Sequence, residues 1–101
     1  MDKVKNFYNK NQFIIENKKE IVFQSYDSII AIIDQETGAL VLFNDWDYSQ
    51  TTLRHFYLFL QDYLNYLSPK YRDIVLDILQ SKNKKNKVEY FIDCDVLQVV
   101  L

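Results

Sequence analysis

Glycine, proline, cysteine, tryptophan, methionine and histidine each occur only once in this sequence of 101 residues. Each scarcity closes a door. A single glycine, Gly38, cannot build a phosphate-cradling loop, which needs several, so nucleotide binding of that type is excluded. A single cysteine, Cys94, rules out an internal disulfide, and a secreted domain this small would often carry several bridges. No apolar run approaches the ~20 residues that span a bilayer. The opening MDKVKNFYNKNQ has no apolar core of the kind a signal peptide needs. No membrane association is expected, and a cytoplasmic location is. Charge of one sign is also scarce, since the formal net charge is −2. That is neither the large basic excess usual for a nucleic-acid-binding protein nor the dense acidic face of a duplex mimic.

Apolar residues are plentiful, at 49% of the chain against 26% charged, which is a folding composition and not a disordered one. The length suits one domain with one core. We therefore expect a single α+β domain over 1–101, its first eleven residues a polar and flexible lead. After that lead, Gln12–Glu16 and Glu20–Tyr26 read as strands joined by an Asn17-Lys18-Lys19 turn. Ser28–Asp34 (SIIAIID) is apolar on both faces, as a central strand would be. Gln35-Glu36-Thr37-Gly38 is the clearest turn, with Gly38 where a positive φ is expected, and Ala39–Phe43 returns as a fourth strand.

Leu53, Phe56, Tyr57, Leu60, Tyr63, Leu64 and Leu67 form one helical stripe, capped by Ser49, Thr51 or Thr52. Ser68-Pro69 opens a second helix, with proline at its first position. Its stripe is Tyr71, Ile74, Val75, Ile78 and Leu79. Ser81–Lys87 reads as a charged loop, and Val88–Ile92 and Val96–Leu101 as one or two last strands. The expected fold is an antiparallel sheet of four to six strands, a β-meander, with a two-helix hairpin packed on one face. The order is ββββααβ(β).

Few groups are arranged for chemistry. Asp45-Trp46-Asp47 and Asp93-Cys94-Asp95 have the D-x-D form that can share a cation, but a calcium loop needs more oxygen ligands and usually a glycine. His55 and Cys94 could form a nucleophilic pair, though no nucleophile elbow surrounds either residue. The plainer reading is a partly exposed helix histidine beside Arg54. No cofactor, metal or catalytic residue is expected. Leu58, Phe59, Tyr66 and Leu76 lie off the helical stripes, and such residues either fill a second layer or mark a partner surface. Lys82, Lys84, Lys85 and Lys87 are either a solvated run or a phosphate-contacting one.

Two stretches, FQSYDSIIA (Phe23 to Ala31) and WDYSQTTLRHFYLFL (Trp46 to Leu60), resemble a family of small proteins and domains from phages, plasmids and other mobile elements of low-GC Gram-positive bacteria. The matching positions are Phe23, Gln24, Ser25, Tyr26, Ser28, Ile29, Ile30 and Ala31, then Trp46, Asp47, Tyr48, Ser49, Thr51, Thr52 and His55. Arg54 stands where a lysine is common. A similar segment is carried by some type II anti-CRISPR proteins of staphylococci and streptococci. The resemblance, which covers roughly residues 12–65, implies a mobile-element accessory protein in a bacterial host cytoplasm. Its expected partner is a host protein, in the most concrete version a Cas9-type nuclease blocked by steric occlusion. Nucleic acid is the secondary partner, and homodimerisation is left open. The shared residues have two readings. On one, the motif is a fold signature: Asp47 or Ser49 caps the helix, and Trp46 and Tyr48 pack its first turn against the sheet. On the other, Tyr26, Trp46, Tyr48, Arg54 and His55 cluster at a strand–helix corner and contact a partner, joined by Phe59, Tyr66 and the lysines Lys82, Lys84, Lys85 and Lys87.

Overall fold

The computed structural model describes residues 2–100, and its scaffold is a six-stranded sheet in the order β1 to β6. The strands are β1 (Lys3–Asn6), β2 (Gln12–Glu16), β3 (Glu20–Ser25), β4 (Ser28–Asp34), β5 (Leu40–Phe43) and β6 (Gln98–Val100). The first five form an antiparallel meander, of which β2 to β5 are the four strands expected. β6 runs parallel to β5, because the helices lie between them and return the chain to the same end of the sheet. Leu101 of the expected last strand lies outside the described residues.

The polar lead is where the first departure falls. Lys3–Asn6 is not loose chain but an edge strand paired with β2, although all four of its residues are exposed. Backbone hydrogen bonds, not burial, hold it. Its alternation of Lys and Asn with one valine carries little apolar signal, which is why the sequence conceals it.

Asn17 makes the first tight turn by accepting the Lys19 and Glu20 amides on Oδ1. The turn before β5 is equally local: Asp34 Oδ1 accepts the amides of Glu36 and Thr37, and Gly38 adopts φ +74°. Gly38 also touches a distant element, since its carbonyl accepts the Ser68 amide at 3.0 Å.

Helix α1 (Gln50–Asp62) is capped by Ser49, whose Oγ accepts the Thr52 amide at 3.1 Å. It stops five residues before the end of its apolar stripe, and a short 3-10 turn over Leu64–Tyr66 leads into α2 (Pro69–Gln80). Ser68 occupies the N-cap position of α2, but its hydroxyl makes no capping bond.

The region expected to be a charged loop and a strand is instead α3 (Lys84–Asp93). Val88, Phe91 and Ile92 fall at offsets 0, 3 and 4, so helix formation puts them on one face. Val88 is fully buried, and Phe91 and Ile92 pack against the core. Burial against α2 outweighs the β-propensity of VEYFI. Three helices, not two, thus contribute to the core.

The core joins Ile14, Ile21, Phe23, Ile33, Leu40 and Leu42 of the sheet to Phe56, Phe59, Leu60, Val75, Ile78 and Val88 of the helices. At its centre Phe23 stacks on Phe59 at 5.4 Å, and the Phe7 ring meets both edge-on. Removing such a ring would cost roughly 3–5 kcal/mol.

Candidate functional site

β3 and β4 are joined by the two-residue turn Tyr26-Asp27, and Ser25 pairs with Ser28 across it. One register step earlier the ladder shifts between Phe23 and Gln24: Phe23 opposes Ala31, and Gln24 opposes Ile29. Ile30 is the extra residue. The bulge turns Ile30 and Ala31 inward together, and both are buried.

The first turn of α1 lies against this hairpin. Ser25 and Thr52 share a hydrogen bond of 2.9 Å between buried hydroxyls, and Ser49 Oγ donates to Thr52 Oγ1 at 3.2 Å. Trp46, in the 3-10 turn Asn44–Asp47 that precedes α1, is buried and meets Phe56 edge-on at 5.9 Å. Trp46 and Ser49 are therefore structural.

Between hairpin and helix lies a cleft of about 570 Å³, lined by Ser25, Tyr26, Asp27, Ser28, Ile30, Asp45, Tyr48, Ser49, Thr51 and Thr52. All of these except Asp45 come from the two stretches FQSYDSIIA and WDYSQTTLRHFYLFL. The hydroxyls of Ser25, Ser49 and Thr52 are occupied by the fold. The rim is not: Tyr48 is 76% exposed and Tyr26 is 48% exposed. Asp27 and Asp45 add two exposed carboxylates, and no lysine or arginine lines the cleft. Tyr26 has φ +53°, in the left-handed region that a tyrosine seldom occupies. Its amide donates to the Asn11 carbonyl, and its carbonyl accepts from Gln24 Nε2.

The other candidate residues scatter. His55 is not a partly exposed side chain: it is 3% exposed, and its Nδ1–H donates to the Thr51 carbonyl at 2.8 Å. Phe59 is not a surface residue either, for it is fully buried under Phe23. Both lie on the sheet-facing side of α1, and a stripe centred on Leu53 and Leu60 places that side too far round. Arg54 is exposed on α1.

Tyr66 belongs to a second hollow, which it shares with Tyr8 and Asp62. Tyr8, overlooked in the polar lead, has φ +67° and donates its hydroxyl to Asp62 Oδ2 at 2.6 Å. That bond raises the Tyr8 pKa, with smaller contributions from desolvation and from the Asp62 charge.

Lys82, Lys84 and Lys85 line a third groove with Leu53 and Tyr57. The lysines are partly committed. Lys85 pairs with Asp47 at 3.3 Å, Lys87 pairs with Asp77 at 3.1 Å, and Lys84 donates to the Ser81 carbonyl at 3.2 Å. Beside them the Tyr57 hydroxyl is buried without a partner, and its pKa is pushed up to about 12 by desolvation, then by the charges of Asp47 and Glu89.

Among the described residues, no three His, Cys, Asp or Glu side chains gather as a metal site would require, and no helix is long and apolar enough to cross a membrane. Cys94 is exposed at the end of α3.

No curated protein and no solved structure matches the chain. A family model does match, over residues 1–75, a range that includes β1 to β5, α1 and every residue of the cleft. The chain belongs to DUF8033, a family of unknown function.

Proposed function

We propose that this protein acts by binding another protein through the cleft between the β3–β4 turn and α1, with no chemical step. The observation that carries this reading is the division of labour in the cleft. The Ser25, Ser49 and Thr52 hydroxyls are bonded within the fold, while two exposed tyrosines and two exposed carboxylates at its rim make no side-chain bond among the described residues. Tyrosine supplies large, stiff contact area at low entropic cost and is favoured at binding hot spots. Tyr26 adds a second argument. A left-handed backbone costs a non-glycine residue about 1–3 kcal/mol, and such outliers concentrate at functional sites.

The charge supports a partner with a basic surface. Phosphates would meet Asp27 and Asp45 without any lysine or arginine in the cleft, so nucleic acid is disfavoured here. Given the resemblance to mobile-element proteins, the first partner to test is a Cas9-type nuclease of the bacterial host, whose guide–target channel is positively charged. Covering that channel would be occlusion.

The experiment is a pull-down from a bacterial host extract, followed by a nuclease-protection assay on an RNA-loaded Cas9-type enzyme. Expected are inhibition by the wild-type protein and at least a ~10-fold weaker effect for Tyr48→Ala and Asp45→Asn, the equivalent of ~1.4 kcal/mol. Unchanged cleavage at saturating protein would sink the nuclease assignment. Cleft variants that bind every recovered partner like wild type would sink the cleft.

A further inference from the structure

The side of the sheet turned away from the helices has the wrong chemistry for a solvated face. An antiparallel sheet with one wet face alternates apolar residues inward with polar residues outward. Here the middle of the outward face is apolar as well, and its polar side chains (Asn6, Gln24, Glu20, Asp34 and Gln98) stand around it. Val4 opposes Ile15, Ile15 opposes Val22, Val22 opposes Ile32, Ile32 opposes Val41, and Val41 opposes Gln98. A single row of β-branched aliphatic side chains therefore crosses five adjacent strands. Phe13 and Ile29, on either side of Gln24, extend the patch at one end, and Phe43 and Val100 at β5 and β6.

None of these residues belongs to the hydrophobic core. Val22 is the decisive one: it is 5% exposed, yet it is absent from the core cluster that contains its neighbours Ile21 and Phe23. Its flanking row mates shield it. Elsewhere in the patch the exposure is larger, reaching 63% at Val4 and 42% at Ile29.

We infer that this face packs against the same face of a second copy of the chain, making a two-fold dimer of sheets. The area is sufficient. Six strands ~4.8 Å apart, with five residues of ~3.4 Å each, span about 24 × 17 Å. Two such faces remove on the order of 1,000 Å² from water, the lower bound for a specific interface. The charge pattern favours a copy over an unrelated partner. The crossing row bears no charge, and the outward carboxylates Glu20 and Asp34 lie together at one end of the strands. A two-fold axis along the row lays each aliphatic row on its twin. It also sets the carboxylate end of one sheet over the Phe13 and Ile29 end of the other, so like charges never meet. Sheets pack in this aligned manner at roughly −30°. The cleft opens beside Thr52 and Ile30, on the helix side, and stays free in the dimer.

Sedimentation velocity on the full chain tests this. Wild type is expected at twice the 12.2 kDa chain mass. Ile32→Lys, which buries a charge at the two-fold axis, should raise the dimer Kd at least ~100-fold. The double variant Ile15→Thr and Val41→Thr keeps β-branched shape and strand propensity, and should raise it about 10-fold with an unchanged circular dichroism spectrum. That variant decides the matter if Ile32→Lys does not fold. A wild-type protein of single-chain mass at ~100 µM, whatever else it binds, would overturn the dimer. So would a dimer indifferent to the double variant.

Discussion

Ser25 and Thr52, 27 positions apart, share a buried hydrogen bond of 2.9 Å that fastens the β3–β4 hairpin to the first turn of α1. Both residues are buried, but Thr52 Oγ1 also accepts from Ser49 Oγ, so losing Thr52 strands the Ser25 hydroxyl whereas losing Ser25 leaves Thr52 one partner. Thr52→Val, close to isosteric, is expected to lower stability by about 1–2 kcal/mol, and Ser25→Ala by less, about 0.5–1 kcal/mol. The double variant should cost less than the two together, because the second change removes a group already without its partner. Urea denaturation midpoints at constant m-value measure all three.

Tyr26→Gly separates fold from function. Glycine adopts φ +53° without strain, so the variant should be as stable as wild type or up to about 1 kcal/mol more stable, while partner binding weakens. Thermal melts and the binding assay are read side by side. A variant that loses stability would show that the tyrosine ring supports the hairpin.

Gly38→Ala should do the reverse. A methyl group there would collide with the Ser68 amide nitrogen, and φ is +74°. Neither the backbone of Ser68 nor the turn can yield cheaply, since the Gly38 carbonyl also receives that amide. A loss of about 2–4 kcal/mol is expected, measured by chemical denaturation.

Tyr57→Phe addresses alkaline pH. The folded protein holds the Tyr57 proton to about 12, against 10.0 for the free side chain. The neutral phenol therefore contributes stability that is complete below pH 10. It is lost as pH rises through about 12, because the unfolded chain releases its proton first. The phenylalanine variant should show a shallower fall in stability across that window than wild type. At neutral pH it should match or exceed wild type, because the hydroxyl has no hydrogen-bond partner to lose. Melting temperatures across the pH range give the comparison.

The four strands from Gln12 to Phe43 and the starts of both long helices were legible because local signals agree there. Asn17, Gly38, Ser49 and Pro69 stand where turn, positive φ, cap and first helical position require them. Backbone sterics and one-turn hydrogen bonds act over a few residues, so residue order suffices. The candidate cleft was half legible. Tyr26 and Tyr48 could be singled out, but nothing local joins a hairpin at residue 26 to a helix turn at residue 52.

Tertiary packing decided the rest. Whether VEYFID became helix or strand depended on the space above α2, which Val88 fills. Whether Lys3–Asn6 became a strand depended on β2 offering an edge. His55 and Phe59 turned inward because the sheet lies on their side of α1. Intrinsic preferences differ by less than about 1 kcal/mol per residue, whereas burying one large apolar side chain is worth about 1.5–3 kcal/mol. Where the local preference was weak, the neighbour across space chose.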